Sequence, residues 1–211
     1  MIIIHLGISL FIAYLVLSLI EYAIHRHLMH KNAFAKLLQI RYLAHTFRDH
    51  AIIHHARCYT VFDGESRACA AINIRVGPLT TLTVMVVPCL LVLLIDPLTA
   101  LAIFLGAILN GIIWSEIHQE MHRPRGAWFS KLKVYRYLKR RHYLHHRYPN
   151  TNFNTLFLLW DWVLGTTAVE TEDDRIAMQA VSWPVRVNAG GPVMVRGTVS
   201  GRGSQANDRI R

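Results

Sequence analysis

The sequence predicts an all-α integral membrane protein of about three transmembrane helices with a helical cap on the cytosolic side, and three observations carry that prediction. Long apolar runs recur along the chain, Lys and Arg avoid those runs and gather between them, and every one of the 13 histidines except His5 falls in the basic segments. The chain is 53% hydrophobic and only 17% charged, yet its formal charge is +10. Such a balance is unusual for a soluble globular protein and ordinary for a small membrane protein with basic loops. At 211 residues it predicts one domain over residues 1–168, embedded in the membrane, and a disordered tail over 169–211, where Gly, Ser and isolated Val show no helical period.

The first element runs from Ile2 to Ala23, apolar apart from His5, Ser9, Ser18 and Glu21. At about 1.5 Å per residue it is long enough to cross a hydrocarbon core of roughly 30 Å. It reads as a retained anchor and not as a secretory signal, because no Lys or Arg precedes it and no small-residue cleavage site follows. A second apolar stretch covers Val76 to Ile95 and a third Pro97 to about Ile117, parted only by Asp96 and Pro97, which predicts a helical hairpin with a minimal turn. With the N-terminus outside, residues 24–72 and everything after Ile117 lie inside. The absence of Lys and Arg before Arg26 and between Val76 and His122 agrees with that orientation. The basic run after Lys131 is therefore read as a surface facing lipid headgroups, and no nucleic-acid reader motif accompanies it. The three cysteines, odd in number and without a C-x-x-C pair, read as reduced packing residues.

The inside segments hold four histidine blocks: "HRHLMH", "HAIIHH", "HQEMH" and "HYLHH". Side chains three or four residues apart share a helix face. His118 with His122, His50 with His54, and His142 with both His145 and His146 are accordingly expected to point at common centres. His25 and His30 are five apart, about 140° around an ideal helix, and need a helix end or a distortion to converge. Glu21, one turn before His25, is expected to hydrogen-bond the other nitrogen of that ring. Neutral imidazole is a good ligand for iron, zinc or copper. Ten such ligands are too many for one ion and suit two; His5, His27 and His45 read as polar anchors.

In order and spacing the blocks resemble the histidine boxes of the integral-membrane fatty acid hydroxylase and sterol desaturase superfamily. The first box is His25 and His30, the second His50, His54 and His55, the third His118 and His122, the fourth His142, His145 and His146. Past them, "YPNTNFNTLFLLWDWVLGT" at Tyr148 to Thr167 is similar to the Trp-Asp and Gly-Thr stretch that closes the family's domain. One departure lies in the second box, with three residues instead of two before the His54 and His55 pair; Ala51 stands where the family's histidine would be, and His45 is the fallback for His50.

The resemblance implies a di-metal, O₂-dependent oxidoreductase that hydroxylates or desaturates a C–H bond of a lipid, such as a fatty acyl chain, sterol or carotenoid. It implies two iron ions, which zinc can replace in purified material, with the ten histidines as ligands and no catalytic residue beyond them. No nucleotide fingerprint, haem attachment motif or ferredoxin-like cysteine run is present. Electrons must then come from a separate reductase, ferredoxin or cytochrome, for which the face from Lys131 to Arg141 is a candidate dock. Two other classes compete: a membrane haem protein, and a non-enzymatic metal-binding or metal-transport protein. Transport would place ligands within the spans, and the hairpin from Val76 to Glu116 contains no histidine.

Overall fold

The structure, a computed structural model, describes residues 2–39, 41–59, 86 and 89–180. Among these every regular element is helical, with no strand. Helix α1 (Ile2–Ala23) continues into a π-helical segment, Ile24–Met29, and is followed by α2 (Ala33–Leu38), α3 (Arg41–Phe47) and a second π-helical segment, Arg48–Cys58. Helix α4 (Pro97–His122), a 3-10 turn (Trp128–Lys131), α5 (Lys133–Arg147), α6 (Leu159–Val163) and α7 (Glu172–Ala180) complete the described chain.

Two helices are long and apolar enough to cross a membrane, Ile3–Met29 and Pro97–His122. Their outer faces carry large apolar side chains in the open, among them Ile3, Phe11, Leu101 and Leu109. Their inner faces carry small ones: Ser9, Ala13, Thr99, Ala100 and Ala107 are buried. In lipid, where apolar side chains gain little from leaving the solvent, small residues let backbones approach and dispersion contacts accumulate. Close approach is visible at Gly106, where a Cβ would meet Leu17 Cδ1 at 2.8 Å.

The register of this pair is fixed by polar contacts. His5 Nε2 lies 3.0 Å from Asp96 Oδ2, and the Thr99 hydroxyl donates to Asp96 and lies 3.0 Å from Ser9 Oγ. The two helices therefore start at the same face and run parallel. Asp96 caps α4 by accepting from Leu98 N, with Pro97 in the first turn where its missing N–H costs nothing. The turn before Asp96 is present, closed by Ile95 N and Asp96 N on Val92 O. Most of the second apolar run, Val76 to Ile95, lies outside the described residues.

The cap forms over the opposite ends of α1 and α4. Met121, Tyr135, Leu138, Tyr143, Leu144 and Met178 make its apolar core. Met178 belongs to α7, so residues of the segment expected to be a disordered tail are folded onto the domain. The signal was the stretch "TEDD": Asp174 N donates to Thr171 Oγ1 at 3.2 Å and Thr171 N donates back to Asp174 Oδ2 at 2.9 Å, a reciprocal cap. Arg147 Nε then pairs with the buried Asp174 at 2.8 Å. Residues 181–211 of that segment lie outside the described residues.

Cysteine chemistry also departs from expectation. Cys89 is free, but Cys58, 4% exposed, is disulfide-bonded. An odd count and the lack of a C-x-x-C pair say nothing about pairing between distant positions.

Candidate metal centre

All ten histidines of the four boxes come together, in two groups of five. His25, His30, His50, His55 and His145 form one group and His54, His118, His122, His142 and His146 the other, each with its candidate ligand atoms within 4.8 Å of one another. Eight of the ten are buried and the other two, His30 and His146, half-buried.

His118 joins His122 as α-helical spacing predicts, but pairing in the first two boxes departs from it because both are formed on π-helical segments. Their backbone bonds run from residue i+5 to residue i: His30 N to His25 O at 3.1 Å, and Tyr59 N to His54 O at 2.9 Å. The wider turn brings residues five apart to the same side, as π-turns at functional sites do. His25 therefore joins His30, and His50 joins His55 instead of His54. The additional residue of the second box is absorbed in this way, which brings His50 into the first group, whereas His45 belongs to neither. In α5 the ordinary period holds for His142 with His146, while His145, on a neighbouring face, enters the other group.

The spacing of the nitrogens tests whether these groups fit an ion. Two imidazole nitrogens each about 2.1 Å from a common ion stand about 3.0 Å apart at right angles and about 3.4 Å at the tetrahedral angle. Nε2 of His50 lies 2.9 Å from that of His25, 3.1 Å from that of His30 and 3.2 Å from that of His55. Nε2 of His30 lies 3.0 Å from that of His145, and in the second group His122 and His142 approach to 2.9 Å. One nitrogen facing three others cannot satisfy them with a single proton. Both ring nitrogens of His54 and of His118, moreover, are buried without a hydrogen-bond partner among the described residues. Buried polar atoms of this kind are costly unless something binds them. Nitrogens converging this closely leave no space for a porphyrin, which removes the haem reading. The donor set, all imidazole, suits iron, zinc or copper.

Electrostatics keep the rings in their ligating form. Burial first, and neighbouring imidazoles second, push His50, His54, His55, His142, His145 and His146 well below the ordinary histidine value, and His30 follows in the same direction. These rings are neutral at physiological pH.

The groups that orient the rings were largely missed by sequence reasoning. Glu21 does not touch His25. It lies against the loop after α5, accepting from Thr155 N at 2.7 Å and Leu156 N at 3.1 Å. That loop supplies the orienting carbonyls: His25 Nδ1 donates to Phe153 O at 2.5 Å and His145 Nδ1 to Thr151 O at 2.6 Å. Each bond fixes a tautomer and turns the opposite nitrogen inward.

Asp161 holds the loop from its other side. Fully buried, it accepts from Phe153 N and Asn154 N at 2.8 Å each and from the Thr166 hydroxyl at 2.8 Å, with Arg141 at 3.4 Å. This is the aspartate of the closing Trp-Asp stretch. Asn152, at φ 52, completes the clamp by accepting from Arg141 and from Ala168 N. Trp114 stacks on His118 with ring centres 4.4 Å apart, and Tyr59 lies 4.2 Å from His122.

The basic face of α5 divides differently from expectation. Lys139 is buried and Arg141 sits against Asp161, so neither can meet a partner; Lys131, Lys133, Arg136 and Arg140 are the exposed bases. Of the remaining histidines, His5 faces Asp96 at the far end of α1, and His27 and His45 lie outside both groups.

The family model described as Fatty acid hydroxylase matches residues 10–166. No curated protein and no solved structure gives a match.

Proposed function

Because the chain belongs to the fatty acid hydroxylase family, we propose that it is a membrane-bound di-iron oxygenase that hydroxylates or desaturates a C–H bond of a lipid with O₂ and electrons from a separate donor. The observation that carries this reading is the division of the ten histidines into two groups of five. One ion would be held by His25, His30, His50, His55 and His145, the other by His54, His118, His122, His142 and His146. Bound iron would supply the redox chemistry that an unactivated C–H bond requires and no side chain possesses.

What the chain contributes is position and dryness. The carbonyls of Phe153 and Thr151 set the tautomers of His25 and His145, so their Nε2 atoms face the centre. Trp114 and Tyr59 close apolar rings over the second group. A buried, neutral set of imidazoles holds two cations without releasing protons into the site. A non-enzymatic metal protein would share the ligands; the apolar helices that lead a lipid to them favour the enzyme.

The test is lipidomic: membranes of cells carrying the wild-type gene should contain a lipid that gains one oxygen or loses two hydrogens relative to membranes of cells carrying a His118→Ala variant. Identical lipid profiles, with metal bound in the wild type, would leave the non-enzymatic reading standing.

The same reading places the histidine boxes on the cytoplasmic side and the shared starting face of α1 and α4 outside. Thiol-labelling of cysteines introduced at the N-terminus and at Asp96 should succeed from outside intact cells, and at Val169 only after permeabilisation. Labelling of Val169 from outside would overturn the orientation.

A further inference from the structure

The stretch that closes the domain descends along the first spanning helix instead of staying on the cap. Asn154 Nδ2 donates to Ser18 O at 2.9 Å, the Ser18 hydroxyl donates to Phe157 O at 3.1 Å, and the Trp160 indole N–H donates to Leu15 O at 3.2 Å. The ring of Phe157 meets that of Tyr14 edge-on, with centres 5.2 Å apart. The chain thus follows α1 from Glu21 to Tyr14, about 10 Å of helix rise. It then returns. Gly165, at φ 65, turns it back, Thr166 N donates to Asp161 O at 2.8 Å, and Asn152 N donates to Thr166 O at 2.8 Å, beside the start of the loop.

The depth of this descent follows from the length of the span. The apolar run covers Ile3–Met29, 27 residues, and a hydrocarbon core of roughly 30 Å takes about 20 of them. Wherever a window of about 20 residues is placed within that run, it includes residues 10–22, and with them Leu15, Ser18 and Glu21. Leu15 then lies at least about 10 Å inside the edge nearer the histidines.

Irregular backbone at that depth must be apolar outside and satisfied by protein inside. In "LFLLWDWVLG", residues 156–165, the one charged side chain, Asp161, is fully buried, while Trp162, Val163 and Leu164 are 77%, 51% and 48% exposed. Glu21 accepts from Thr155 N, Leu156 N and Phe157 N where the segment leaves the cap. Beyond, Leu164 N closes on Trp160 O at 2.9 Å and Gly165 N on Trp162 O at 3.3 Å. A carboxylate within a spanning helix is costly, and these backbone donors give it a reason to be there. A loop lying in water would need neither that acceptor nor a row of open apolar side chains.

We propose that residues 156–165 form a re-entrant segment seated in the leaflet on the histidine side, that its open face of Trp162, Val163 and Leu164 meets lipid acyl chains, and that Glu21 holds it there from within α1. Thr151 and Phe153, whose carbonyls orient His145 and His25, stand directly before the segment. The bilayer thereby moors the loop that aims two ligands of the first group. The proposal requires α1 to span the membrane and makes no use of the oxygenase reading.

The experiment uses the full chain in nanodiscs of phospholipid brominated midway along one acyl chain, or of its unbrominated counterpart, with iodide as the quencher in water. Bromine and iodide each quench an indole that they touch, and the Trp162 emission is isolated by difference from Trp162→Phe. Trp162 should lose most of its emission in brominated lipid and keep it in iodide. Quenching by iodide, with or without quenching by bromine, would place the segment in water, and quenching by neither would show that protein covers it; either result overturns the proposal. Glu21→Leu leaves an apolar residue in the span and deprives the backbone N–H groups of their acceptor, so it should reverse the pattern, with Trp162 open to iodide and clear of bromine. A Glu21→Leu chain that keeps the wild-type pattern would overturn the role given to Glu21. Should that variant fail to insert, the wild-type comparison decides alone.

Discussion

Replacing Asp161 with alanine should destabilise the cap by about 3–5 kcal/mol and release the first of the two metal sites. The size follows from what the carboxylate holds while fully buried: Phe153 N, Asn154 N and the Thr166 hydroxyl as donors, with the Arg141 guanidinium beside it. Each donor left unsatisfied costs about 1–3 kcal/mol, and a buried cation that loses its partner costs more than the pair was worth. The effect on metal is selective, because the freed loop carries the carbonyls that orient His25 and His145, both in the first group. His118 and His122 are held by α4 and do not depend on that loop. Asp161→Asn keeps one acceptor oxygen and should fall between wild type and alanine. Unfolding midpoints and metal content of the purified variants check this together. An alanine variant with wild-type stability and full metal content would show that the loop is held by something else.

The second large effect concerns the ligands. His118→Ala and His145→Ala each remove one nitrogen from a different group of five, so each should abolish turnover while lowering metal content by about one ion per chain. The double variant should hold almost none. Membrane insertion should survive in all three, since the two apolar helices do not use these rings to pack on each other. His5→Ala, at the far end of α1 against Asp96, should leave metal content unchanged. Loss of metal on changing His5 as severe as on changing His118 would mean that fold and not ligation is being measured.

Much of this site was legible before any coordinates. Ten histidines in four boxes, all beside helix ends and all in basic segments, already marked the residues that converge, because covalent spacing along a helix limits where side chains can meet. Their division between two groups was not legible. It depends on the π-helical hydrogen bonding at His25 to His30 and His54 to Tyr59, and a difference of one residue per turn leaves no compositional trace. The same geometry explains how His50 and His55 of the enlarged second box converge.

The orienting groups were hidden for another reason. Glu21 is near His25 in sequence, and proximity suggested a bond; the ring instead finds a carbonyl contributed by a residue more than a hundred positions away, Phe153. Asp161 stood in a motif whose resemblance was visible but whose role was not, since its partners are backbone N–H groups that every residue possesses. The helix at Glu172–Ala180 is different again, because its capping residues could have been read in "TEDD" and were outweighed by the Gly-rich composition that follows.

The central claim, two ions held by ten imidazoles, is tested most directly by counting metal on the purified full-length chain expressed with ample iron. Elemental analysis against protein concentration from amino-acid hydrolysis should give two transition-metal ions per wild-type chain, falling to near one in each of His118→Ala and His145→Ala. A wild-type chain with one ion or none, or single variants that retain both, would contradict it.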